Sequence, residues 1–290
     1  MLTLYKILFN NIGAEGILFG AFGITVESAD GIAVITPEWA LVLLSVIALL
    51  WVFASYFLGS LNFAIIISHF KFKDDVRRHG SSNAGPTNMQ RTYGNKAALL
   101  TILGDVSKTL VAVLGARLMF GLNVAFISAF FCIIGHCFPA YYKFKGGKGV
   151  TCTLSALVLL EPLVGLTLLL IYVIIVLGTK YVSLGSIITA LISPVVLDRY
   201  YGLLSSTVKG FPPHPTLMMT VCSILIAVLI IVRHWSNIKK LLAGEENKLS
   251  FGSKKKKERE EKIRRDKAEK KKGFSLHNID DGDENGESSD

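Results

Sequence analysis

The sequence predicts an all-α protein, a polytopic bundle of about seven membrane-crossing helices with its N-terminus outside and its C-terminus in the cytosol. Three observations carry this expectation. Of the 290 residues, 51% are hydrophobic and only 18% are charged, which favours a membrane protein over a soluble one. Long apolar runs recur along the chain with short, cationic, glycine-rich loops between them. Charge is also segregated: residues 239–290 hold 15 of the 31 Lys/Arg and 13 of the 22 Asp/Glu. The chain therefore divides into an N-terminal extension (1–39), an apolar, modestly basic membrane domain (40–247) and a charged, disordered cytosolic tail (248–290).

The extension contains the apolar stretch ILFGAFGI, but Glu15 and several glycines interrupt it, so it lacks the clean core of a signal peptide. A membrane helix needs about 20 mostly apolar residues. Residues 40–70 supply the first span, ending at Phe70. Residues 97–120 supply the second and carry Asp105, Lys108 and Arg117. The next is 122–142. Residues 183–200 and 216–233 follow, closing at Asp198-Arg199 and Arg233. The stretch 150–178 reads two ways. It is one long tilted helix, or two short ones turning at Glu161-Pro162, where proline disfavours helix continuation. Positive residues favour the cytosolic side. With 1–39 outside, the loop holding Lys71, Lys73, Arg77, Arg78, Arg91 and Lys96 lies inside, as does the loop holding Lys143, Lys145 and Lys148. Keeping the lysine-rich tail inside as well requires an odd count, so the charges favour two helices in 150–178.

Three segments are too polar and glycine-rich for simple connectors. In GSSNAGPTNMQR (80–91), Ser81, Asn83, Thr87 and Asn88 offer neutral hydrogen bonds, and Arg77 and Arg91 offer fork-shaped donors suited to phosphate. Taken alone it also reads as a polar turn between spans. In GHCFPAYYKFKGGKG (135–149), the glycines permit close backbone approach and Lys148 adds a charge where the next helix begins. This is no Walker A loop, because Tyr142 stands where the first glycine belongs and Gly149 where Ser/Thr belongs. The third segment is split between Lys180-Tyr-Val-Ser183 and Arg233-His-Trp-Ser-Asn237. Each half alone is an ordinary interfacial cluster, but the topology brings all three segments to one membrane face.

Asp105 and Lys108, three apart, share a helix face and read as a structural ion pair. His69 and Asp74 match the H-x4-D spacing of acyl-CoA-dependent acyltransferases, but none of that group's other blocks is present. Cys132, Cys137, Cys152 and Cys222 form no CxxC pair and read as buried thiols, with no metal or disulfide framework. On the residues alone, a phosphate-ester transporter also suits a cationic pocket, although it calls for mid-membrane sites and internal repeats, and no repeat is visible.

Together, GSSNAGPTNMQR, GHCFPAYYKFKGGKGVT, YVSL and RHWSNI, in this order and preceded by GSLNFA at 59–64, resemble the small integral-membrane acyl-phosphate–glycerol-3-phosphate acyltransferases of bacteria. The likeness runs from about residue 50 to 247. Pro86 and Thr151-Cys152 depart from the family pattern. The resemblance implies seven spans and acyl transfer from acyl phosphate to glycerol 3-phosphate, giving lysophosphatidate and phosphate, the first step of phospholipid synthesis. It further implies that Ser81, Arg91, Lys148, Ser183, His234 and Asn237 act on the substrates' phosphates or glycerol. Asn83, Thr87, Asn88, Gly146, Gly147 and Gly149 would help form the phosphate cradle. No cofactor, metal or nucleic acid is implied. The protein is expected to act as a monomer in the bacterial plasma membrane with its site on the cytosolic face. Its mechanism is expected to be substrate-assisted, without a dedicated protein base.

Overall fold

A computed structural model describes residues 38–249. The expectations for most of the N-terminal extension and for the tail beyond residue 249 lie outside the described residues. The described residues form ten α-helices and two 3-10 turns, with no strand among them. Helix α1 spans Glu38–Ser60 and α2 Phe63–Phe72. After a 3-10 turn at Val76–Arg78 come α3 (Pro86–Tyr93), α4 (Asn95–Phe120) and α5 (Leu122–Cys137). A second 3-10 turn at Ala140–Tyr142 precedes α6 (Val150–Leu160), α7 (Pro162–Thr179) and α8 (Val182–Thr207). The last two are α9 (Leu217–Arg233) and α10 (Trp235–Leu242), bent by 57° at His234.

The expected first span over 40–70 is in fact two helices. Asn62 ends α1 and starts α2, because its side-chain oxygen accepts from the Ile65 amide, a local bond that competes with helix continuation. Stretch 150–178 breaks at Glu161-Pro162, as the proline predicts. Arg117 donates to the carbonyls of Leu159 and Leu160, satisfying the open end of α6, and Tyr201 donates to Glu161 Oε1 at 2.8 Å. Those bonds tie the α6–α7 turn to α4 and α8.

Length and composition qualify α1, α4, α5 with its following turn, α7 and α8 to cross a membrane, and α9–α10 makes a sixth if taken as one bent span. Helix α6, with 11 residues, is about 16 Å long, short of the ~30 Å hydrocarbon. Outward residues such as Leu50, Phe53, Leu103, Leu166, Leu170 and Ile174 are exposed and apolar, as a lipid-facing surface requires. Inside, α1 crosses α5 with backbones nearly touching. A Cβ added at Gly59 would fall 2.0 Å from the Cys132 carbonyl oxygen, and one at Gly135 would fall 2.1 Å from that of Tyr56. Small residues at a crossing are how membrane helices gain close packing.

Candidate active site

The cavity that gathers the expected residues sits where the loop before α3, the loop before α6, the start of α8 and the α9–α10 bend converge. Its volume is about 530 Å³. All six residues expected to act on substrate, Ser81, Arg91, Lys148, Ser183, His234 and Asn237, line it, as do Asn83, Thr87 and Gly149. Asn88, Gly146 and Gly147 do not; they build the wall behind it.

Asn88 organises the 76–88 loop. Its Nδ2 donates to the carbonyls of Val76 and His79, both at 3.0 Å, and its Oδ1 accepts from the Ser81 amide at 3.0 Å. That holds Ser81 at the cavity rim. The Gly146 and Gly147 amides donate to the carbonyls of Cys137 and His136, at 3.3 and 3.0 Å, so neither is free for an anion. Their carbonyls accept from Arg233, whose guanidinium also lies 5.0 Å from the Phe138 ring centroid. Gly149 has φ +83°, a left-handed conformation that glycine adopts without strain, and this turns the chain from Lys148 into α6. Arg77, expected as a phosphate fork, instead pairs with Asp75 at 2.8 Å and donates to the carbonyls of Tyr142 and Lys145. It staples the two polar loops together.

Within the cavity, Lys148 Nζ donates to Asn237 Oδ1. Burial pulls the Lys148 ammonium down to about 8. Glu246 opposes that shift, whereas Arg233 and Arg91 add to it. His234 Nδ1 lies 2.8 Å from the Ile230 carbonyl oxygen, which can only accept, so Nδ1 carries a proton. In the neutral ring Nε2 is then an acceptor. The H-x4-D pair does not form, since His69 is exposed and Asp74 instead meets His79 Nε2 at 2.7 Å and the Tyr93 hydroxyl at 2.8 Å.

Two site residues were missed in the sequence. Glu246, on the irregular segment after α10, accepts from Ser183 Oγ at 2.9 Å and Asn237 Nδ2 at 2.7 Å, so a carboxylate stands among the residues expected to bind phosphate. No spacing rule marks it, because it belongs to a run of mixed charge. His136 lies in the quoted GHCFP segment, yet nothing in the spacing shows that its ring faces the cavity. The Asp105–Lys108 ion pair is present at 2.9 Å, and His136 joins it. Asp105, His136 and Cys152 bring their donor atoms within 4.8 Å of one another, but the Lys108 ammonium already occupies the cationic position beside Asp105 and His136.

Below this polar end the cavity turns apolar, lined by Ile102 and Val106 of α4, Leu154 and Val158 of α6, and Leu169 of α7. Ile102 and Leu169, which line this apolar end, are 39% and 37% exposed.

A helical bundle of membrane-crossing length, with a cavity lined by cations at one end and apolar side chains at the other, defines a membrane-embedded protein with a two-ended internal site. The comparisons narrow this class. The family model described as "Glycerol-3-phosphate acyltransferase" matches residues 49–244, and the chain belongs to that family. A glycerol-3-phosphate acyltransferase of Neisseria meningitidis serogroup C is 40% identical over 200 residues, covering 67% of this chain and 94% of the relative. One of Thiobacillus denitrificans is 40% identical over 208 residues, covering 70% and 98%. Crystal structures of PlsY (YgiH), an integral membrane glycerol 3-phosphate acyltransferase, resemble the fold in two forms. The glycerol 3-phosphate form has TM-score 0.61 at 34% identity, covering 70% of this chain and 96% of that one; the lysophosphatidic acid form has TM-score 0.59 at 33%, covering 70% and 95%.

Proposed function

We propose that this acyltransferase takes its acyl group from acyl phosphate and delivers it to glycerol 3-phosphate, yielding lysophosphatidate and inorganic phosphate at the entry to phospholipid synthesis. The observation that carries the reading is the two-ended cavity, with Arg91 and Lys148 at one end and apolar α4, α6 and α7 side chains at the other. Two phosphate groups must meet in this reaction, and cations in a shielded site offset their repulsion. The capture of PlsY structures in glycerol 3-phosphate and lysophosphatidic acid forms supports the choice of acceptor and product.

The acceptor hydroxyl oxygen attacks the acyl carbonyl carbon. The bond from that carbon to the phosphate oxygen breaks, and the departing phosphate takes the hydroxyl proton. Acyl phosphate is a mixed anhydride, already activated, so positioning and charge stabilisation supply most of the rate. Ser81 and Arg91 bind one phosphate from the α3 side. Lys148, Ser183 and Asn237 bind the other, and His234 Nε2 accepts a hydrogen bond from the glycerol. Asn83, Thr87 and Gly149 complete the cradle, with Asn88, Gly146 and Gly147 holding its wall. The separated pair His69 and Asp74 favours this donor over acyl-CoA. We further propose seven crossings in the bacterial plasma membrane, the short α6 counted as one of them, with a cytosolic site and a monomeric enzyme; the lysine-rich loops and tail support that orientation.

The test is a donor comparison with the purified protein in lipid nanodiscs. With glycerol 3-phosphate, acyl phosphate should give lysophosphatidate and phosphate in equal amounts, and acyl-CoA should give none. Turnover from acyl-CoA alone would overturn the proposal.

A further inference from the structure

One buried titratable cluster touches the cavity without a part in the scheme above. Asp105 and Lys108 of α4 and His136 of α5 are all buried. Lys108 Nζ lies 3.0 Å from the Gly59 carbonyl oxygen, 2.9 Å from that of Leu61 and 3.0 Å from His136 Nδ1. Asp105 Oδ1 is its countercharge at 2.9 Å. An ammonium has three N–H groups. The two carbonyls can only accept, and they take two. The third lies between Asp105 Oδ1 and His136 Nδ1 and serves both. The opposite tautomer would set an N–H against the ammonium at 3.0 Å, with only a carboxylate oxygen 3.4 Å away to receive it. Nδ1 is therefore the acceptor, and Nε2 carries the ring hydrogen.

Nε2 points away from the cluster. A Cβ at Gly147 would fall 2.1 Å from it, so it lies against the backbone just before Lys148, and His136 lines the cavity. The side chain is 3% exposed, and Nε2 has no hydrogen-bond partner among the described residues. An N–H at a cavity wall is left for whatever polar group or water the cavity holds.

We propose that His136 is a further ligand-binding residue of this site, its Nε2–H donating to a phosphate oxygen of the bound substrate while Lys108 fixes the tautomer. The two cavity imidazoles then have opposite polarity: His136 donates from Nε2 and His234 accepts there. The shared ligand chemistry is a phosphate oxygen, from either glycerol 3-phosphate or the acyl donor. This assignment rests on the acyl-phosphate reading above.

The full-length protein, labelled with ¹⁵N-histidine in detergent, tests it, with the His136 signals identified as those that survive replacement of each of the other five histidines in turn. The expected spectrum has Nε2 protonated and Nδ1 bare, and Nε2 shifts on adding inorganic phosphate or glycerol 3-phosphate. An Nδ1-protonated ring, or an Nε2 signal blind to both, would overturn the assignment even if no His136 variant folds. In kinetics, His136→Asn keeps an acceptor for Lys108 and loses the far donor, whereas His136→Gln restores a donor near Nε2. The Asn variant should raise KM for one phosphate substrate about tenfold, with the Gln variant within a few-fold of wild type. The substrate whose KM moves identifies the phosphate. A folded Asn variant with both KM values unchanged removes His136 alone. A wild type that binds no inorganic phosphate and transfers no acyl group removes the underlying reading as well.

Discussion

Lys148 concentrates the chemistry of the polar end. Its ammonium is buried beside Asn237 and is pulled down to about 8 because desolvation disfavours the charge. Below that value it is a cation, and above it a neutral amine. Phosphate monoesters are dianionic well before pH 8, so rising pH removes only the protein's charge. KM for glycerol 3-phosphate should therefore climb as pH passes about 8, approaching tenfold per unit, and Lys148→Met should abolish that dependence. The same variant should raise KM at pH 7 by about 10- to 100-fold, the loss expected for a hydrogen bond to a charged group. A Lys148→Met protein with wild-type KM and pH profile would show that the ammonium does not meet the phosphate. Arg77 makes the opposite point. Removing it should disturb the fit of the two loops, because its donors are spent on Asp75, Tyr142 and Lys145. Arg77→Lys should lower the melting temperature more than it raises KM.

At the scale of elements, periodicity and breakers made most of the fold legible. The proline at 162 marked the α6–α7 break, and the glycine-rich loops marked the cavity walls. Three things were not legible. An apolar run long enough for a span gave no warning that Asn62 would cap a second helix, because capping depends on a side-chain rotamer rather than on hydropathy. Glycine composition separated neither the residues that line the cavity from those that hold its wall, nor Gly149 from Gly147. Glu246 reaches Ser183 and Asn237 across 63 and 9 residues, a contact that only the closed fold creates. The α1–α5 crossing yields a sharp test. Gly59→Ala would drive a methyl into the Cys132 carbonyl, where backbone must move, and should cost about 3 kcal/mol or more. Thermal melting in detergent should show a marked drop, whereas Gly178→Ala, which meets nothing within 4 Å, should melt near wild type.

For the molecule as a whole, the four cysteines are buried thiols, which leaves a quiet background for mapping orientation. Single cysteines at Lys145 and His214 should label from opposite sides with an impermeant maleimide, Lys145 only after the cytosolic face is opened. Labelling of both from one side would overturn the proposed topology. The cavity's two ends also set how the enzyme should count its substrates. Glycerol 3-phosphate arrives from a volume of water, but a donor whose chain enters beside Ile102 and Leu169 arrives from a sheet of lipid. For such a donor the effective concentration is a number per unit area. Adding inert lipid at constant bulk donor should slow the reaction, while KM for glycerol 3-phosphate holds still. A rate that follows bulk donor alone would mean that the chain enters from water.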